Sequence, residues 1–154
     1  MKPLHIAPCG IICNICFGFQ RNKNTCVGCL ADGNKAYRCD ICSFKMCPEK
    51  KGNSHSFCFD CEKFPCRRLN NLEKRYATNY SESPIQNLML IREIGLDAFI
   101  KQETIKWLCP VCGQLLCVHK NKCLHCGNEN IFYKRKPKEW KAISSCQLSV
   151  VSCQ

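Results

Sequence analysis

No stretch of the chain approaches the roughly 18 consecutive apolar residues of a membrane-crossing helix, so none is expected. Met1 to Phe19 lacks an apolar segment followed by a small-residue cleavage site, and we read no export signal there. No glycine-rich phosphate loop is present, and Ser, His and Asp fall into no recognisable nucleophile pattern. Histidine is scarce, with four residues, and no His/Glu trio with an open fourth position is visible, which argues against a catalytic zinc. These absences make an enzyme the least favoured class. The enzymatic route left open is a cysteine nucleophile, with Cys47, Cys66 and Cys117 as candidates if they stay unligated beside Lys or Arg.

Cysteine is what the chain has in excess, 18 of 154 residues, above the roughly 8–10% that marks a cysteine scaffold. Without export the chain is expected in the cytoplasm, where reducing conditions make paired cysteines metal ligands more often than disulfides. Six pairs have the Cys-x-x-Cys spacing: Cys13/Cys16, Cys26/Cys29, Cys39/Cys42, Cys58/Cys61, Cys109/Cys112 and Cys123/Cys126. That loop aims two thiolates at one point about 2.3 Å from each sulfur, the geometry of a structural zinc. A longer pattern, Cys-x2-Cys-x4-Cys, recurs at Cys39/Cys42/Cys47, Cys58/Cys61/Cys66 and Cys109/Cys112/Cys117. Metal binding also revises the charge. A zinc with four thiolates carries a net −2, so three such sites lower the formal +11 to about +5 and weaken the argument from charge to nucleic acid.

In chain order, Cys9-x3-Cys13-x2-Cys16 has the spacing of a radical S-adenosylmethionine cluster, but Ile15 stands where those enzymes carry an aromatic, and the chain is too short for their barrel. The simpler reading pairs Cys13/Cys16 with Cys26/Cys29 around one zinc, with Cys9 as a further candidate ligand. In the second group, Cys39 to Cys66, six cysteines resemble the two-zinc cluster of fungal transcription factors, yet both gaps after Cys-x-x-Cys are four residues, whereas that cluster has longer gaps after each Cys-x-x-Cys. One zinc on Cys39, Cys42, Cys58 and Cys61 is simpler. Cys47, Cys66 and His55 are then extra candidate ligands.

Helical patterning begins after Phe64. Leu69, Leu72 and Tyr76 recur on one helix face. Ser83-Pro84-Ile85-Gln86 is a helix start, followed by an apolar stripe of Ile85, Leu88, Ile91 and Ile94 and a terminating Gly95. Leu96, Phe99, Ile100 and Trp107 outline a third helix. Cys109/Cys112 and Cys123/Cys126, each pair followed by Gly113 or Gly127, read as a zinc ribbon. Lys134, Arg135, Lys136 and Lys138, with Trp140, form a basic run with an aromatic, able to touch phosphate and stack on a base. Cys146 and Cys153 have no partner in the pattern.

With these residues laid out, the chain resembles a bacterial and archaeal family of cysteine-rich proteins known mainly as a domain of unknown function. The resemblance rests on Pro8-Cys9-Gly10-Ile11-Ile12-Cys13-Asn14-Ile15-Cys16, on Cys26-Val27-Gly28-Cys29, on Cys58 to Cys66 with its Phe64-Pro65-Cys66 ending, and on the Leu69 to Tyr76 helix. It spans roughly residues 7–130, including an appended ribbon like Cys109 to Cys126. It implies a metal-bound fold in a prokaryotic cytosol and carries no catalytic residue.

The expected architecture is a small α+β, metal-stabilised protein. Cysteine knuckles and helices occupy 1–106, a zinc ribbon 107–133 and a basic tail 134–154. The expected function is a non-catalytic interaction module holding two to four zinc ions and contacting a protein or nucleic acid. The alternative is an iron–sulfur protein with a redox or sensing role, its cluster at the N-terminal cysteines, which outnumber what two four-thiolate zinc sites use.

Overall fold

The structure, a computed structural model, describes residues 1–49 and 56–134. His55, Arg135, Lys136, Lys138, Trp140, Cys146 and Cys153 lie outside the described residues. The described chain is small and mostly helical, and its β structure consists of isolated antiparallel bridges. Two single-turn helices, α1 (Phe17–Gln20) and α2 (Tyr37–Asp40), punctuate the N-terminal loops. Three longer helices follow: α3 (Arg67–Asn79), α4 (Pro84–Ile94) and α5 (Leu96–Lys106). No helix among the described residues is long and apolar enough to cross a membrane.

The helix signals act as their chemistry requires. On α3 the buried side chains are Leu69, Leu72 and Tyr76, the face set by the i, i+3, i+7 spacing. The Ser83 hydroxyl accepts the Gln86 N–H at 3.0 Å, Pro84 occupies the first turn of α4, and Gly95 ends it with φ +84°. The α4 stripe is narrower than expected. Leu88 and Ile91 are buried where α4 packs against α3 and α5, but Ile94 at the helix end is exposed. Trp107 lies just past the end of α5 and is fully buried there.

Two apolar clusters tie distant parts of the chain together. One joins Ala7, Cys9, Leu69, Leu72, Tyr76 and Leu88. The other places Ile6, Ile12 and Ile15 of the N-terminal loop against Ile91, Phe99, Trp107, Leu116 and Val118. The C-terminal segment is thereby docked on the N-terminal one, the Val118 N–H donating to the Ile15 carbonyl at 2.8 Å, and on the link between α3 and α4, where the Ser81 N–H donates to the Phe132 carbonyl at 2.9 Å. A buried polar network reinforces the junction. Asn87 donates to the Gly10 carbonyl at 2.9 Å and to Glu82, the Trp107 indole N–H donates to Glu103 at 3.0 Å, and Lys106 pairs with Glu103 at 2.9 Å. Burial raises the Glu82 carboxyl above its ordinary pKa, partly offset by Lys106.

Candidate metal centres

The C-terminal site is built from two turns of the same design. Leu108 bridges Leu115 in the first and Lys122 bridges Glu129 in the second. In each, the first cysteine's N–H donates to a carbonyl five residues on (Gln114, 2.8 Å; Asn128, 2.7 Å), and a glycine N–H returns to that cysteine's carbonyl (Gly113, 2.9 Å; Gly127, 3.0 Å). Gly113 and Gly127 have φ of +68° and +75°, which a side chain would strain. The two turns face each other so that Cys109, Cys112, Cys123 and Cys126 offer sulfurs that all lie within 4.8 Å of one another. Cys109 Sγ stands 3.6 Å from Cys126 Sγ, and Cys112 Sγ 3.7 Å from Cys123 Sγ. A tetrahedron with metal–sulfur bonds of about 2.3 Å has edges of about 3.8 Å, so this set is able to hold one metal ion. Backbone N–H groups of Cys112 and Val111 draw the Cys109 thiol down to about 7. His125 is exposed, and Cys117, fully buried, is pushed up to about 11 by that burial.

A second thiol-rich place lies in the N-terminal half. A cavity of about 550 Å³ is lined by Cys9, Cys13, Cys16, Cys26, Cys29, Cys39 and Cys42, which come from the N-terminal loops and α2. Leu72, Arg75 and Tyr76 of α3 contribute to its wall, as does His119 from the C-terminal segment. Cys29 sits among these thiols: its N–H donates to Cys13 Sγ at 3.2 Å, and the neighbouring Cys13 and Cys39 thiols are the strongest influences on its own acidity. The Gly28 N–H donates to Cys26 Sγ at 3.4 Å. Burial raises the Cys9 and Cys16 thiols, while hydrogen bonds between thiols are the main cause of the rise at Cys29 and Cys39.

A third recess is lined by Cys47, Cys58, Cys61 and Cys66, with Phe44, Phe64 and Leu69 behind them. Cys66 is the residue before α3, and Lys63 beside it pairs with Glu49 at 2.9 Å. The geometry therefore groups the middle cysteines differently from the simplest reading of their spacing. Cys39 and Cys42 face the cavity, whereas Cys58 and Cys61 face the recess together with Cys47 and Cys66. The signal in the sequence was the third cysteine of each Cys-x2-Cys-x4-Cys triplet, since Cys47 and Cys66 meet in one place. His119 gave no such signal. Its Nδ1 accepts the Phe17 N–H at 3.2 Å, and it reaches the cavity only because the C-terminal segment docks there.

The cavity and recess take all their cysteines from the first 66 residues. Residues 5–71 match the family described as "Protein of unknown function (DUF3795)". The DUF3795 match includes every one of the eleven cysteines that precede α3 and stops short of the four-sulfur C-terminal site. It ends within α3, whereas the resemblance read from the sequence runs on toward residue 130. The cysteine-rich N-terminal part is thus what resembles DUF3795, and the C-terminal cysteine cluster follows the matched residues. No curated protein and no solved structure matches the chain. Lys134, the first residue of the basic run, is exposed at the end of the described chain.

Proposed function

We propose that the chain is a non-catalytic, zinc-organised interaction module whose C-terminal unit is a zinc ribbon. The observation that carries this reading is the packing of four sulfurs at Cys109, Cys112, Cys123 and Cys126 with edges of 3.6 and 3.7 Å, the size a single tetrahedral ion needs. Four protein thiolates fill the coordination sphere and leave no position for a substrate or an activated water, which marks a structural site rather than a catalytic one. Zinc suits an all-thiolate tetrahedron and brings no redox chemistry of its own.

The surface around the site supports contact with a partner. Val111 and Leu124 at the two knuckle tips and Ile131 just beyond are exposed. Apolar side chains held out on rigid, metal-fixed turns suit a protein surface, and the basic run from Lys134 onward suits phosphate. Metal analysis of the purified protein tests the zinc assignment: Cys112→Ser is expected to lower zinc by one ion per chain, and an unchanged zinc content overturns it. The nucleic-acid version is tested by replacing Lys134 through Lys141 with alanine and measuring affinity over a salt series. A salt slope indifferent to those changes sinks it.

A further inference from the structure

We propose that the seven-thiol cavity of the N-terminal half holds a polynuclear iron–sulfur cluster, in a centre separate from the C-terminal zinc site. The inference rests on residues that the ribbon reading does not use. Its first ground is size. A zinc ion bound by four thiolates draws them into a knot with edges of about 3.8 Å and encloses no cavity. The N-terminal thiols instead line part of a half-open cavity of about 550 Å³, and seven of them do so where one zinc uses four.

The second ground is spacing. Among the described residues, the set of three or more potential ligands lying mutually within 4.8 Å is the C-terminal one. In the cavity, seven thiols line one space without converging in that way. Thiolates that cap different irons of one cluster stand further apart than thiolates sharing a single ion, so an open ring of sulfurs is the arrangement a cluster requires.

The third ground is the lining. Ile11, Phe19, Phe44 and Leu72 make much of the remaining wall apolar, while the Arg38 and Arg75 side chains line the same space and offset the negative charge of a thiolate-bound cluster. Backbone N–H groups already point at sulfur, from Cys29 to Cys13 and from Gly28 to Cys26. Such donors are among the means by which a protein sets a cluster's potential. Cys13, Cys29 and Cys39 are assigned as ligands, each losing its proton to solvent on binding iron. A fourth comes from the remaining thiols of the ring, and the surplus allows one to replace another in single variants.

The test is iron, acid-labile sulfide and zinc measured together on full-length protein purified anaerobically, without added iron or sulfide. The expected result is about four irons and four sulfides per chain, with a visible absorption that bleaches when dithionite donates an electron to the cluster. The double variant Cys29→Ser/Cys39→Ser is expected to lose iron and sulfide while keeping the C-terminal zinc. Cys112→Ser/Cys126→Ser is expected to do the reverse. Colourless parent protein without iron overturns the proposal, as does iron without sulfide, or zinc in place of iron that is lost with Cys29 and Cys39. Loss of the zinc reading alone would leave the iron and sulfide counts untouched. Should the double variant fail to fold, the parent's iron-to-sulfide ratio still decides the matter.

Discussion

A serine at Cys112 removes one of four sulfurs that converge within 4.8 Å, and the three that remain are not enough to hold a zinc firmly at neutral pH. Because metal binding is also folding energy in a small domain, the variant is expected to melt well below the parent, as a thermal scan followed by circular dichroism would show. His119 makes a different residue-scale statement. Its ring lies in edge contact with Tyr76 and Tyr80, its Nδ1 accepts the Phe17 N–H, and burial, assisted by Arg75 and Lys120, lowers its pKa below the usual 6.5. Below that value the unfolded chain takes up the proton first, so stability is expected to fall as pH drops through 6.5 and on through the lower folded value. Denaturant unfolding of the parent and of His119→Gln across this range checks it: the gap between them should shrink as the pH falls. A gap that stays constant with pH would contradict the assignment.

At the scale of the element, α4 is the clearest case of local sequence and tertiary packing agreeing. Replacing Ser83 by alanine removes the acceptor for the Gln86 N–H and is expected to cost about 1 kcal/mol in denaturant unfolding. Leu88→Ala, at a fully buried position facing Ala7 and Leu69, is expected to cost about 2–5 kcal/mol. Gly10→Ala should be worse than its size suggests: φ is +84°, and a Cβ there would collide with the Pro84 carbonyl. All three helices were legible because their signals are local, a cap, a terminating glycine and a 3.6-residue stripe. The two knuckles at Cys109 and Cys123 were legible for the same reason, since spacing and glycine fix each turn by itself. The partition of Cys39 to Cys66 was not. Two thiols belong to one place and four to another, and the spacing hints at this only through Cys47 and Cys66, the third cysteines of their triplets.

At the scale of the whole molecule, the thiol-bearing parts share their cores. Ile15 lies beside the cavity cysteines and gives its carbonyl to Val118, while Leu116 and Val118 pack with Ile12, Phe99 and Trp107. Loss of metal at one end should therefore lower the stability of the whole, even where the other end keeps its metal. A chelator is expected to unfold at least the knuckle regions, and the parent should show lowered helical signal and lowered melting temperature together; unchanged circular dichroism would contradict this. The same docking has a consequence for how the molecule is made. The cavity thiols are all synthesised by residue 42, but His119, part of the wall, comes 77 residues later. During synthesis the cavity wall is therefore incomplete on the His119 side until that segment emerges and docks, so the cavity takes its final outline only after nearly the whole described chain has been made.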